Sequence, residues 1–104
     1  MSTEPAGGQA PPAPAFDLDR PWCLDERVAV RPEPFGALLY HFGTRRLSFL
    51  KDPAVLTVVQ ALAEHPSARA ACESAGISAR ALPAYERALA TLAGSAMIRE
   101  RTAG

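Results

Sequence analysis

The sequence predicts an α+β domain in which a three-stranded antiparallel sheet is followed by three helices. Three features predict it. Apolar residues alternate with a period of two on both sides of Gly43-Thr44. Asp52-Pro53 has the form of a helix start. Leu82, Tyr85, Leu89 and Leu92 recur at helical spacing. At 104 residues and 48% hydrophobic, the chain has material for one core and none for a two-lobed cleft.

Residues 1–15 are rich in Ala, Pro and Gly and predict a disordered tail. Residues 16–27, FDLDRPWCLDER, are a transition segment. Its Phe16, Leu18, Trp22 and Leu24 suit docking on the domain or on a partner, and periodicity does not choose between them. The domain proper is expected over residues 28–98, with 99–104 a C-terminal tail.

Val28 and Val30 alternate with Ala29 and Arg31 up to a break at Pro32-Glu33-Pro34. GALLYHF (36–42) and RRLSFL (45–50) then flank Gly43-Thr44, which reads as a two-residue type II′ turn. That turn pairs Phe42 with Arg45, His41 with Arg46, Tyr40 with Leu47, Leu39 with Ser48 and Leu38 with Phe49. Leu38, Tyr40, Leu47 and Phe49 then share one face. His41, Arg46 and Ser48 share the other, which makes His41 a solvated strand histidine.

A first helix is expected from the Asp52 cap, with Val55, Leu56, Val59, Leu62 and Ala63 on its apolar side and His65-Pro66 ending it. A second covers Ala68 to Ala75, stopped by Gly76. A third is capped by Ser78 or begins nearer Pro83, and stops at Gly94, with Met97 and Ile98 packing afterwards.

Charge and motif content remove whole classes of function. The net charge is formally zero, where nucleic-acid binders usually carry a basic surplus. Residues 1–27 hold two Arg against five Asp/Glu, net −3. The remainder holds nine Arg/Lys against six Asp/Glu, net +3. The folded part therefore favours an acidic peptide. Cys23, Cys72, His41 and His65 have no metal-ligand spacing, so two reduced thiols are expected and no metal. No apolar run approaches a membrane span and the N-terminus lacks signal-peptide character, so the expected compartment is the cytoplasm.

Nothing supports catalysis either: the sequence has no phosphate loop, HExxH, CxxC or nucleophile with a base. The chain is therefore read as a binding protein and not an enzyme. The alternative is a winged-helix DNA-binding transcriptional regulator. Its recognition helix would offer only Arg80 and Arg87 among Ala and Leu, with Glu86 beside the second. A homodimer joined through its own edge strands is a third reading.

The last strand is an edge without proline, open to strand addition. With a two-residue turn, Arg45, Leu47 and Phe49 bond to the neighbouring strand, and Arg46, Ser48 and Leu50 aim N–H and C=O groups outward. Ser48→Pro would then remove an outward donor. Arg80, Ala84, Arg87 and Thr91 form a second stripe along the third helix, with small residues for close approach and arginines for carboxylates.

The run VAVRPEPFGALLYHFGTRRLSFLKDPAVLTVVQAL, followed by a short helix and a leucine-striped one, resembles PqqD-like proteins. These are the peptide-recognition elements of pathways to ribosomally synthesised, post-translationally modified peptides (RiPPs). FGALLYHFGTRRLSFL is most similar to the chaperones of mycofactocin biosynthesis, and the likeness spans about residues 25–98. The resemblance implies a winged-helix-like fold that binds the leader of a precursor peptide as an added strand and presents it to a radical S-adenosylmethionine (SAM) enzyme. By position it assigns the leader site to Arg46, Leu47, Ser48, Phe49 and Leu50, with Arg80, Ala84 and Arg87. No cofactor, nucleic acid or membrane is expected as a partner of this chain.

Overall fold

A computed structural model describes residues 16–101. The tail expected over residues 1–15 lies outside them. The described chain is α+β, with five strands, three α-helices and one 3-10 turn. Strands β1 (Trp22–Leu24) and β5 (Ile98–Glu100) form a two-stranded antiparallel sheet. Strands β2 (Val28–Glu33), β3 (Gly36–His41) and β4 (Leu47–Leu50) form the antiparallel meander in that spatial order. Helices α1 (Pro53–Ala61), α2 (Ala68–Ser74) and α3 (Leu82–Gly94) follow.

Segment 16–27 docks on its own domain. Trp22 pairs with Glu100, so β5 enters the stretch read as a tail. Leu18 and Trp22 are buried, Phe16 packs on Trp22 with ring centroids 4.8 Å apart, and the Trp22 indole donates to Asp17 O. Arg69 N donates to Leu18 O and the Arg69 guanidinium pairs with Asp19, which ties the segment to α2.

The break expected at Pro32 does not occur. Strand β2 runs through it to Glu33, and Pro34-Phe35 makes the turn. Phe42 N donates to Arg27 O, so alternation puts the ladder bonds at residues 27, 29, 31 and 33. Pro32 falls between them on an edge strand, where its missing N–H costs no ladder bond.

The β3–β4 pairs Leu38/Phe49, Leu39/Ser48 and Tyr40/Leu47 form as expected. The turn and the burial do not. Arg45 N donates to His41 O and His41 N donates to Arg46 O, which makes a four-residue turn over 42–45 with Arg45 at φ 63°. His41 is buried, not solvated, because its face is the core face. Ala37, Leu39 and Leu50 lie there with it. Its Nδ1 accepts from Gly43 N at 2.9 Å and Thr44 N at 3.0 Å, and so caps the turn from beneath. A Cβ on Gly43 would sit 2.8 Å from the imidazole, so glycine is needed there for close approach and not for a positive φ.

Helix α1 carries its expected cap, and α2 gains one at Ser67. Asp52 accepts from Ala54 N, with Pro53 at the first position, and Ser67 accepts from Ala70 N. Val55, Val58 and Val59 are the buried face of α1, where Leu56 was expected in place of Val58. Leu62 is buried in the 3-10 turn Leu62–Glu64, ahead of extended His65, which Pro66 requires. Ser78 heads a separate turn by accepting from Ala81 N, and α3 starts at Leu82 with Pro83 in its first turn. Leu89, Leu92, Met97 and Ile98 complete the core with Leu39, Val58, Leu62 and Cys72.

Candidate functional site

The edge residues of β4 follow from the turn. Because His41 is hydrogen-bonded across to Arg46, alternation makes Leu39/Ser48 and Ala37/Leu50 the bonded pairs. The expected phase is thus reversed. Ser48 and Leu50 spend their backbone groups on β3, and Arg46 gives its carbonyl to His41. Leu47 and Phe49 are the residues whose N–H and C=O groups point away from the sheet. The pairing partners stay those of a two-residue turn, but lengthening the turn moves the first bonded pair from Phe42/Arg45 to His41/Arg46.

The side chains sort by the same alternation. Leu47 is 54% exposed and Phe49 62%, Ser48 is half-buried, and Leu50 belongs to the core. The opposite edge, β2, is blunted by Pro32. That leaves β4 as the edge of this sheet with no proline.

On α3, Ala84, Arg87 and Thr91 are exposed on one side of the helix. Arg80 is exposed too, but it lies in the turn before Leu82 and not on the helix. Tyr85 faces inward from the adjacent row, with Oη 3.5 Å from Asp52 Oδ2, and so links α3 to the segment that follows β4. Burial and the Asp52 carboxylate push the Tyr85 phenol up, so it remains a neutral donor. Arg46, Arg80 and Arg87 form no ion pair among the described residues. The exposed residues on α3 also include Glu86, whose charge opposes phosphate contact, and Ala90, which has no hydrogen-bonding side chain.

Sequence reasoning missed the support under this edge. Asp25 is buried and accepts from Arg27 N at 2.8 Å and Arg27 Nε at 3.2 Å, with His41 Nε2 3.7 Å from its other oxygen. The bond from Arg27 holds the Asp25 carboxyl below its usual range, against the upward pull of burial. The spacing Asp25-x-Arg27 was the available signal, but its third member lies across the sheet. Cys23 and Cys72 are buried free thiols, and burial raises the Cys72 pKa. Among the described residues no three His, Cys, Asp or Glu converge on a metal position, and no helix is long and apolar enough to cross a membrane.

A family model described as the peptide chaperone MftB family matches residues 21–99, from β1 through all three helices into β5. The chain belongs to the peptide chaperone MftB family. It is 58% identical over 99 residues to the peptide chaperone MftB of Mycobacterium ulcerans (strain Agy99), covering 94% of this chain and 91% of that one. It is 55% identical over 100 residues to the MftB of Mycobacterium tuberculosis (strain ATCC 25618 / H37Rv), covering 94% and 92%. The MftB of Mycolicibacterium smegmatis (strain ATCC 700084 / mc(2)155) is 55% identical over 83 residues, covering 80% and 81%. No solved structure matches the chain. The MftB match bears out the family resemblance carried by the hairpin phrase, and it extends that resemblance into β1 and β5.

Proposed function

We propose that this member of the MftB family is a peptide chaperone of mycofactocin biosynthesis. It binds the leader of a ribosomally made precursor as an added strand on β4 and presents it to a radical SAM enzyme, in which the chemistry resides. In this reading the sheet and helices form a winged-helix-like, PqqD-like recognition element.

The observation that carries the proposal is the free backbone of Leu47 and Phe49 on a proline-free edge. A guest strand would take up to four hydrogen bonds there, each with a net contribution of about 1 kcal/mol. Ala84 leaves room for a peptide beside α3, and Arg46 and Arg87 are free to meet its carboxylates. Family membership supports the peptide as ligand.

The test is a calorimetric titration with the leader peptide. Phe49→Pro removes an outward N–H and should weaken binding at least about tenfold. Phe49→Ala keeps that N–H and should weaken it less. Equal affinity for wild type and a folded Phe49→Pro protein would overturn strand addition on β4.

A further inference from the structure

The large apolar side chains left exposed among the described residues are Phe35, Phe42, Leu47 and Phe49. All four belong to the β2–β3–β4 sheet or its two turns. Strand register puts Ala29, Tyr40 and Leu47 in one row of the outer face, and Arg31, Leu38 and Phe49 in the next. Phe35 meets Phe49 at 6.0 Å and Phe42 meets Tyr40 edge-on at 5.0 Å, which extends the patch to both ends of the sheet. The helices cover the other face, and no described residues form a layer over this one.

We propose that this outer face, on the flat of the sheet beside the β4 edge, docks a folded protein whose contact surface is apolar and rimmed by carboxylates. Charge defines the occupant. Arg31, Arg45 and Lys51 flank the patch against one carboxylate, Glu33, giving a rim of net +2. Arg45 and Lys51 form no ion pair among the described residues, and Arg31 reaches only Glu33, at 3.9 Å.

A second copy of the chain fits poorly. Two copies face to face would oppose arginine to arginine. With ~200 Å² per aromatic side chain, the four exposed groups offer on the order of 400 Å² per copy. A pair would then bury about 800 Å², short of the ~1,000 Å² that a specific interface needs. A larger partner that also engages the turns and the cationic rim meets both conditions. Identifying that partner with the radical SAM enzyme rests on the proposed function.

The experiment measures binding of the radical SAM enzyme and of the leader peptide separately, using the full chain. Phe35→Ser/Phe42→Ser and Arg31→Glu are the variants, all outside the leader site, with amide NMR spectra to verify folding. Enzyme affinity is expected to fall at least about tenfold in each, with leader affinity unchanged. Unchanged enzyme affinity in the folded double variant, or no enzyme binding by the wild type, would overturn the docking face. Loss in the double variant with none in Arg31→Glu would overturn its carboxylate-rimmed occupant. A wild-type mass that rises with concentration, and stays monomeric in the double variant, would assign the face to a second copy and overturn the proposal. A wild-type chain that fails to bind leader but docks the enzyme through this face would sink the leader reading alone.

Discussion

His41 Nε2 lies 3.7 Å from Asp25 Oδ2, and both side chains are shut away from solvent beneath the β3–β4 turn. Because Nδ1 accepts from two backbone N–H groups, the imidazole proton sits on Nε2 and faces the carboxylate. The pair thus fixes the turn that sets which backbone groups of β4 face outward. His41→Ala leaves those N–H groups without their acceptor and opens a cavity, so it should destabilise the fold by about 2–4 kcal/mol. Urea unfolding measures the loss, and faster amide exchange at Gly43 and Thr44 should accompany it.

Asp25 also sets a pH dependence. Its carboxyl is held below the ordinary aspartate value, first by the Arg27 side chain. A folded value below the unfolded one means the carboxylate stabilises the fold above about pH 4. That stabilisation is lost as pH falls through the folded value. Chemical denaturation from pH 6 down to pH 3 should show stability declining over the lower part of that range. Asp25→Asn, already weaker at pH 6, should show a shallower decline.

Proline distinguishes the two sides of β4. At Ser48 it removes an N–H bonded to β3, so Ser48→Pro should cost about 2–3 kcal/mol and lower the thermal midpoint. At Phe49 the N–H faces outward, so Phe49→Pro should cost less while leader binding falls. A larger stability loss at Phe49 than at Ser48 would refute the bonding phase.

Alanine and glycine occupy each other's best places at the end of α3. Met97 N donates to Leu92 O and Ala96 N to Ala93 O, closing a Schellman motif whose left-handed residue is Ala96 at φ 64°. The same motif ends α2 with Gly76 at φ 82°. Gly94, two residues earlier, is helical, and a Cβ there would meet nothing within 4 Å. Ala96→Gly and Gly94→Ala should each stabilise the protein by about 0.5–1 kcal/mol, and Gly76→Ala should destabilise it by about 1 kcal/mol. Thermal unfolding of the three variants checks this.

The sequence by itself determined the elements whose causes are local. Asp52-Pro53 starts α1 because a side-chain oxygen and a ring act on the next three residues. The strand partners of β3 and β4 were legible because alternation on both sides of Gly43-Thr44 admits one sorting of side chains. The family was legible because the hairpin phrase is specific.

Only the tertiary structure decided which face of that sheet is inside. Alternation marks two faces, and both here carry apolar residues. The helices cover the face with Ala37, Leu39 and His41 and leave Leu47 and Phe49 in water. The turn length, and with it the outward pair on β4, depends on His41 capping Gly43 and Thr44 over a buried Asp25. The docking of residues 16–24 on β5 and α2 likewise joins the two ends of the chain. Neither arrangement is local: a buried His–Asp contact and a long-range strand pair bring together residues whose spacing along the chain carries no period.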